Sequence, residues 1–318
     1  MRILPLVSIL AILLAAGQAD AALKLTPKKI TAKSKTYDIS VAWPQTGVKA
    51  IDDDLAAWAK KTADEFRVDS NEDRQPDEPA YFIEVTYKVE RNDDQVFAVL
   101  FDEYTDMGGA HPNHDYATAN YLMPDGWRVY LPELLDGSRG AKRIAGLARA
   151  DLDRRITKGD DALSDPETVA MGTTPDWDNF RSFILKPDAI ALYFPPYQVA
   201  SYASGPQQSR IPLAALRDVM RADVRKPAAS FDCAAARTAT EHALCSDVTL
   251  ARLDRDVAQA YTTHMRNNAL APNTANATAL KTDQRAWLAR RDAACATANR
   301  DCLAKLYRDR AAWLAKQP

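Results

Sequence analysis

All four cysteines of the 318-residue chain lie in its last third, at Cys233, Cys245, Cys295 and Cys302. An even number of cysteines confined to one short segment predicts two disulfides when the chain folds in an oxidising compartment. Four cysteines permit three pairings, and we favour pairing in order of sequence because it closes two short loops. The alternative is a metal site, but the spacing lacks a Cys-x2-Cys knuckle and His242 is the only histidine close by.

The first residues indicate such a compartment. Arg2 precedes an apolar run from Ile3 to Ala16, and small residues follow at Ala19 and Ala21. This pattern is typical of a signal peptide covering residues 1–21. No later stretch approaches the roughly 20 apolar residues of a membrane helix. We therefore expect a periplasmic protein, secreted through its signal peptide, with no transmembrane segment in the mature chain.

Length and charge favour two domains after the signal peptide. A single core stops growing at roughly 250–300 residues, and the cysteines mark the last third as separate. From Asp232 onward 13 basic residues face 9 acidic ones, whereas the part between the signal peptide and Asp232 has 27 basic and 33 acidic residues. We predict domains at 22–227 and 228–318. Neither charge balance is extreme enough to indicate nucleic acid binding.

The segment 22–227 mixes strand and helix patterns, which predicts an α+β domain with an antiparallel sheet and packed helices. Period-two alternation predicts strands at 36–44, 80–90, 95–105 and 114–123, of which the last three form an antiparallel meander. Helical spacing of apolar residues predicts helices between Ile51 and Phe66 and at 138–156. We also expect a surface loop at 68–79, two short strands near 182–194 and a closing helix at 210–221.

The stretch MGGAHPNHD, from Met107 to Asp115, contains half of the four histidines. Its glycine pair and Pro112 suit a connection between two strands. The other interpretation is a metal or acid/base site, with His111 and His114 completed by Asp106 or Asp115. A metal held by protein needs at least three ligands oriented by second-shell partners, and Pro112 within the pair breaks the helical register that an HxxH motif uses, so we predict no metal site, no catalytic residue and no cofactor. Nucleotide-binding and hydrolase motifs are also absent from the sequence.

Two blocks in this first part resemble the RsiV-type extracytoplasmic domain, which is also found beside PdaC-type peptidoglycan deacetylases. The residues that carry the resemblance are Tyr104, Gly108, Gly109, Ala110, His111, Pro195, Pro196, Tyr197, Ala203, Gly205 and Pro212. The similarity extends from about Lys33 to Arg221. It implies binding of lysozyme rather than turnover of a substrate. The sequence has neither the transmembrane helix with a sigma-binding tail nor a deacetylase domain, so the resemblance does not extend to sigma-factor signalling.

The last part predicts a small helical bundle. A helix is expected after a cap at Ser246 or Asp247, and further helices are expected from Leu280 and from Asp301, with a loop at 267–276. So short a bundle buries little apolar surface. Disulfides would therefore matter, because each short loop is worth roughly 2–4 kcal/mol.

This part is similar to the LprI-type lysozyme-inhibitor domain from Ser230 to Leu314. The matching positions are Cys233, Cys245, Ser246, Asp247, Leu253, Asp254, Gln284, Arg285, Trp287, Leu288, Cys302 and Leu303. The two resemblances together imply an exported protein, not an enzyme, that binds and inhibits lysozyme or a related muramidase. The alternative is a peptidoglycan-binding or structural module of the cell envelope. We expect Asp106, His111, Asn113 and His114 to form a partner-binding loop.

Overall fold

The computed structural model describes residues 22–74, 78–160, 162–163, 165–270 and 274–314. The predicted signal peptide, residues 1–21, lies outside these described residues. The chain divides into two compact units, each made of several stretches. The first comprises the residues up to Val129, Gly159–Asp165 and Ser182–Ala214, and the second comprises Tyr130–Lys158, Pro166–Arg181 and the residues from Ala215 onward. The boundary predicted at 227/228 concerns the sequence modules and stays a prediction.

The first unit is built on a six-stranded sheet in the order β1-β2-β3-β4-β5-β6. The strands are β1 (Thr26–Lys33), β2 (Tyr37–Gln45), β3 (Tyr81–Asn92), β4 (Val96–Asp106), β5 (Asn113–Leu122) and β6 (Trp127–Val129). The meander of β3, β4 and β5 is antiparallel, as predicted. The β2–β3 pair is parallel, which the sequence pattern did not indicate. A parallel pair needs a crossover, and helix α1 (Lys49–Asp73) supplies it.

Helix α1 packs its apolar face against one face of this sheet, which we call the inner face. The buried cluster contains Ile51, Leu55, Ala59, Ala63 and Phe66 from α1, with Ile39, Val41, Ile83, Val85, Phe97, Val99 and Phe101 from the strands. The helix predicted between Ile51 and Phe66 is therefore confirmed. The loop predicted at 68–79 is wrong in its first part. The helix continues to Asp73 because Ser70 is buried on the same face and its hydroxyl donates to the Phe66 carbonyl at 2.7 Å.

A second, three-stranded antiparallel sheet covers part of the opposite, outer face. It consists of β7 (Phe183–Leu185), β8 (Ala189–Phe194) and β9 (Gln207–Pro212). The Asn120 side chain joins the sheets, because its amide donates to the Phe183 carbonyl at 2.8 Å and its oxygen accepts from the Leu185 N–H at 2.8 Å. The closing helix predicted at 210–221 is wrong. Gln207–Pro212 alternates buried and exposed positions along β8, and only one 3₁₀ turn follows, at Leu213–Leu216.

The second unit is helical. Its helices are α2 (Leu131–Leu134), α3 (Gly137–Thr157), α4 (Pro166–Gly172), α5 (Ala239–Ser246), α6 (Val248–Leu270), α7 (Thr274–Ala294) and α8 (Arg300–Leu314). The helix predicted at 138–156 is confirmed as α3. The predicted loop at 267–276 is wrong at both ends, because α6 reaches Leu270 and α7 begins at Thr274. Among the residues that the structure describes, no helix is both long and apolar enough to cross a membrane.

Two disulfides staple the C-terminal helices. Cys233 is bonded to Cys245 and Cys295 to Cys302, with sequence separations of 12 and 7 residues. This is the order-of-sequence pairing that the short loops favoured. Around them, α5 to α8 share one core that includes Leu250, Val257, Trp287, Leu303 and Tyr307. The α+β class with a disulfide-stapled helical C-terminal region is thus confirmed.

Candidate functional site

The predicted partner-binding loop connects β4 to β5 in the first unit. Its turn is closed by Asp106, whose carboxylate accepts from the Gly108 N–H at 3.0 Å. Gly108 has a φ of +75°, and a Cβ at this position would lie 3.0 Å from the ring of Tyr81. Both conditions favour glycine over every other residue. The glycine pair of the sequence motif therefore has a structural reason at its first member.

His111 is held by two hydrogen bonds in this loop. Its Nδ1 lies 3.0 Å from the carbonyl oxygen of Pro112, and its Nε2 lies 2.9 Å from the hydroxyl of Tyr197. Since a carbonyl only accepts, Nδ1 is the donor to Pro112, and in this tautomer Nε2 accepts from Tyr197. The hydroxyl of Tyr202 donates to the same Pro112 carbonyl at 2.7 Å. Both ring nitrogens are therefore engaged with neighbours.

The rings of His111, Tyr197 and Tyr202 lie nearly parallel, and we call them the tyrosine–histidine stack. The centroids of His111 and Tyr202 are 3.7 Å apart with an interplanar angle of 20°. The centroid of Tyr197 lies 6.1 Å from that of His111 and 5.6 Å from that of Tyr202. The distances from Tyr197 to the other two rings lie in the range of about 4.5–7 Å that is typical of attractive ring pairs. The stack brings together the two sequence blocks that carry the RsiV-type resemblance.

Tyr197 is both exposed and strained. Its side chain is 60% exposed, and its backbone φ is +70°, in the left-handed region that bulky residues avoid. Such a conformation costs about 1–3 kcal/mol and persists only where the surroundings impose it. Here the Tyr197 N–H donates to the Ala200 carbonyl at 3.0 Å, and Pro195 and Pro196 restrict the approach of the chain. The ring is therefore presented to solvent by a rigid turn.

His114 has different partners from His111. It is the second residue of β5 and lies on the outer face, where its Nδ1 is 3.1 Å from an Asp102 carboxylate oxygen. Its ring centroid lies 4.6 Å from that of Tyr104, which in turn lies 5.6 Å from Phe82. Among the described residues, no group of three or more histidine, cysteine, aspartate or glutamate side chains is placed to hold a metal. The two histidines thus serve two neighbouring clusters.

Carboxylates alternate with rings on this part of the outer face. Glu84 is the cross-strand partner of Tyr104, and Tyr104 is the partner of His114. Asp106 pairs with Phe82 in the adjacent register position. We call Phe82, Glu84, Asp102, Tyr104, Asp106 and His114 the acidic–aromatic face. Burial raises the pKa of the nearby Tyr116, and the negative charge of Asp102 raises it further.

In the helical region the LprI-type positions are mostly structural. Asp247 caps α6 by accepting from the N–H groups of Thr249 and Leu250 at 2.8 and 3.0 Å, and it also binds Arg300 at 2.7 Å. Burial disfavours the charged carboxylate, but these bonds outweigh it and hold the pKa of Asp247 below its usual value. Of the two caps expected from the sequence, Asp247 is the one observed.

A buried polar network joins α6, α7 and α8. The Tyr307 hydroxyl donates to Asp254 at 2.9 Å and accepts from Arg291 at 2.7 Å. Burial raises the pKa of Tyr307 well above its ordinary value, and the adjacent Asp254 carboxylate adds to the shift. The Trp287 ring packs edge-on against Tyr307 at 5.2 Å. Asp254 and Trp287 of the sequence motif therefore stabilise the bundle.

Only part of that motif faces solvent. Arg285 and Leu288 are exposed on α7, and Leu288 is 36% exposed. Outside the motif, Trp313 is 40% exposed and the Arg310 guanidinium stacks over its ring at 4.2 Å. These side chains are available to a partner of the helical region.

A second buried network lies within the second unit. Glu133 of α2 is 1% exposed and accepts from Arg252 at 2.9 and 3.2 Å and from Arg255 at 2.9 Å. It also accepts from the Tyr130 N–H at 3.1 Å, so both carboxylate oxygens are satisfied. The network ties the helix after β6 to α6.

Comparison with known proteins finds three families along the chain. Three family models match: "Deacetylase PdaC" over residues 26–114, "Protein of unknown function (DUF3298)" over 134–214, and "Lysozyme inhibitor LprI" over 233–314. The chain is similar to these three families in N-to-C order. Both resemblances inferred from the sequence are thereby confirmed.

A curated relative and two solved structures are similar to part of the chain. Peptidoglycan-N-acetylmuramic acid deacetylase PdaC of Bacillus subtilis (strain 168) is 27% identical over 189 residues, which are 59% of this chain and 40% of that protein. The chain thus matches less than half of the length of this relative. A DUF3298 family protein of Pseudomonas aeruginosa PAO1 has a TM-score of 0.46 at 16% identity, covering 63% of this chain and 96% of the other. A DUF3298 family protein of Bacteroides fragilis NCTC 9343 has a TM-score of 0.45 at 14% identity, covering 64% of this chain and 96% of the other.

Sequence reasoning missed several members of these clusters. Tyr202 and Asp102 contact the two histidines although Tyr202 lies far from them in sequence and Asp102 lies on a neighbouring strand. Tyr104 belonged to the resemblance, but its contact with His114 was not predicted. A usable signal existed for the stack, because the Gly-Gly-Ala-His and Pro-Pro-Tyr blocks stood out as a pair. For the acidic–aromatic face the signal is the register between β3, β4 and β5, which requires the sheet. Asn113 is exposed at the start of β5, and no side-chain contact links it to the clusters among the described residues.

Proposed function

We propose that this protein is an exported, non-catalytic binder of lysozyme or a related muramidase and that it inhibits the enzyme it binds. The observation that carries the proposal is the match of residues 233–314 to the lysozyme inhibitor LprI model, with both disulfides formed inside the matched region. Disulfides persist in oxidising compartments, which supports export. A periplasmic location after removal of residues 1–21 is part of the same proposal, as are sequence modules at 22–227 and 228–318.

The charge of the first part of the chain supports its contribution to lysozyme binding. Lysozymes of the hen type are cationic, and the residues between the signal peptide and Asp232 carry six more acidic than basic side chains. Complementary charge mainly raises the rate of encounter and acts within a screening length of roughly 10 Å. The net positive charge from Asp232 onward gives no such advantage. The proposed contact loop therefore lies in the first unit, at Asp106, His111, Asn113 and His114.

The tyrosine–histidine stack supports the same assignment. Tyrosine is enriched among the few residues that supply most of the binding energy of an interface. The Tyr197 ring is exposed, rigid and fixed by His111, so little rotamer entropy is lost when a partner covers it. We propose Tyr197 as the central contact of the loop and His111 as the residue that positions it.

The basic test uses residues 22–318 and hen egg-white lysozyme. Calorimetry should detect a complex with a Kd of about 1 μM or tighter, and lysis of cell-wall suspensions should slow in proportion to the complex formed. A complex without slower lysis would retain binding and remove inhibition. Absence of heat at concentrations up to about 50 μM would remove the proposed function itself.

Variants locate the contact. Tyr197→Ala should weaken the complex by about 2 kcal/mol or more, roughly thirtyfold. Val68→Ala is the matched control, because Val68 is also an exposed large side chain but lies on α1. A double-mutant cycle of Tyr197→Ala with His111→Ala should show coupling, since His111 acts through Tyr197. Simple addition of the two losses would contradict the positioning role.

A second candidate function is peptidoglycan binding. The curated relative that matches 59% of the chain is named as a peptidoglycan deacetylase, and the acidic–aromatic face is partly open to solvent. Sedimentation with insoluble murein sacculi in the absence of lysozyme tests this function, because a protein that binds murein is removed from the supernatant. Full recovery in the supernatant at low salt would reject this candidate.

A further inference from the structure

The acidic–aromatic face occupies the half of the outer face that the three-stranded sheet leaves open. The covered half is marked by two hydrogen bonds with β7: the Thr118 hydroxyl accepts from the Phe183 N–H, and the Asn120 amide donates to the Phe183 carbonyl. Beyond them Glu84 is exposed, and the side chains of Asp102 and His114 keep 44% and 34% of their surface. The open half therefore combines ring surface with accessible carboxylates.

The register makes this face a regular grid. Along one row Glu84, Tyr104 and His114 are direct cross-strand partners, and in the flanking rows Phe82 faces Asp106 and Asp102 faces Tyr116. Cross-strand partners hold their Cβ atoms about 4.5–5.5 Å apart. Each carboxylate thus has an aromatic or imidazole ring as its neighbour, and the rings of Phe82, Tyr104 and His114 run across three consecutive strands.

The charge of the grid is unbalanced. In the described parts of the chain, no lysine or arginine forms a salt bridge with Glu84, Asp102 or Asp106. The nearest basic side chain along β3, Lys88, is paired with Glu90 at 2.7 Å. A cation bound by one of these carboxylates would lie within the roughly 6 Å over which an aromatic ring attracts it. Charge complementarity therefore selects a cationic ligand.

The size and form of the grid favour a linear oligomer over a protein. Fully exposed, Phe82 and Tyr104 would offer at most about 150–250 Å² each, and both are partly buried here. This is below the roughly 800 Å² per partner of a stable protein interface. A chain of sugar rings with free amino groups matches both features, since rings stack on rings and ammonium groups meet carboxylates.

We infer that the acidic–aromatic face binds a glycan strand of amino sugars whose amino groups are free rather than acetylated. This inference rests on the second candidate function, peptidoglycan binding, and specifies its ligand and surface. Phe82 and Tyr104 supply stacking, Glu84 and Asp102 bind ammonium groups, and His114 keeps Asp102 oriented through its Nδ1.

Calorimetry with three matched probes tests the ligand class, using residues 22–318 at about pH 6, where carboxylates are ionised. The probes are a β-1,4-linked glucosamine tetramer, its fully N-acetylated counterpart and tetralysine. The glucosamine tetramer should bind with a Kd near 100 μM, at least about tenfold tighter than either control probe. Raising the salt from about 50 to 500 mM should weaken it severalfold. Equal binding of the acetylated tetramer, or of tetralysine, would overturn the inference, as would no binding of glucosamine.

Variants test the surface. Glu84→Gln combined with Asp102→Asn should reduce affinity for the glucosamine tetramer at least about fivefold, because two exposed charge contacts are lost. Glu65→Gln on α1 removes an exposed carboxylate from the opposite side of the sheet and should leave affinity unchanged. Equal affinity in the double variant and the wild type would overturn the assignment. Sedimentation of the same proteins with murein separates the inferred ligand from the second candidate function. A protein that still binds murein but does not bind the glucosamine tetramer would contradict the inferred ligand and leave peptidoglycan binding in place.

Discussion

The Glu133 carboxylate accepts two hydrogen bonds from the Arg252 guanidinium, at 2.9 and 3.2 Å, although the residues are 119 positions apart. Glu133 precedes the segment that matches the DUF3298 model, whereas Arg252 lies inside the segment that matches the LprI model. The contact is internal to the second compact unit. A helix outside the LprI-matched segment and a helix inside it therefore share this buried carboxylate.

Removing the charge of Glu133 should destabilise this unit. In Glu133→Gln, Arg252 and Arg255 keep their charge without a buried counterion, which costs about 3–5 kcal/mol in comparable pairs. Urea unfolding followed by circular dichroism should show the loss. Asp301→Asn is the control, because Asp301 is exposed and an exposed pair contributes about 1 kcal/mol at most. A loss of stability in Glu133→Gln no larger than in the control would mean that this ion pair does not stabilise the packing of α2 with α6.

The disulfides should contribute according to loop length. For separations of 12 and 7 residues, loop-closure entropy predicts about 2.8 kcal/mol for Cys233–Cys245 and about 2.4 kcal/mol for Cys295–Cys302. Paired serine replacements at each bridge should lower the free energy of unfolding by these amounts. Mass mapping of the unreduced protein checks the pairing, and peptides that join Cys245 to Cys295 would contradict it.

Asp247 separates the capping and charge contributions of one side chain. Asp247→Ala removes the acceptor at the start of α6 and should cost about 1 kcal/mol at neutral pH. Asn retains the acceptor, so Asp247→Asn should lose less at that pH. Because the folded-state pKa of Asp247 is depressed, its charge stabilises the fold above the unfolded value of 3.8, and this contribution disappears as the pH falls through the folded-state pKa.

The acid side of the stability profile tests this sign. Urea midpoints measured from neutral pH down to about pH 2 should fall less steeply for Asp247→Asn than for the wild type, since the variant has no carboxylate to protonate. Parallel profiles would show that the carboxylate has the same pKa in the folded and unfolded chain.

Gly108 and Gly109 should respond differently to alanine. Gly108→Ala places a Cβ at a φ of +75° and 3.0 Å from the Tyr81 ring, and the left-handed backbone alone costs about 1–2 kcal/mol. The nearest atom to a Cβ at Gly109 is 3.8 Å away, so Gly109→Ala should be nearly neutral. Thermal unfolding compares the two. Similar melting temperatures would contradict a glycine requirement specific to Gly108.

The period-two and helical spacings of apolar residues were sufficient to predict most of the strands and helices. The meander and α1 follow from such patterns because each element buries one face against the sheet. The helix predicted at 210–221 is wrong because the start of this segment pairs with β8 as an antiparallel strand, which the helical spacing of Ile211 to Met220 does not reveal. The end of α1 was predicted too early because its last residues are polar, and only the buried Ser70 shows that the helix continues. Tertiary context outweighed local propensity in both cases.

The clusters were predictable only in part. His111 and Tyr197 lie 86 residues apart, and the paired blocks placed both in one motif without indicating that they touch. The alternation of Glu84, Tyr104 and His114 depends on the register across three strands, which no spacing in the sequence reveals. Buried ion pairs such as Glu133 with Arg252 are equally invisible, because charged residues are usually exposed.

Each compact unit is assembled from separated stretches, since 159–165 and 182–214 return to the first unit after the second has begun. A chain that emerges from its N-terminus cannot finish the first unit before Ala214, and the second needs residues beyond it. During synthesis from the N-terminus, both cores would therefore be incomplete at the same time until Ala214 is reached. Apolar surface of both cores should accordingly stay exposed through the first two thirds of synthesis.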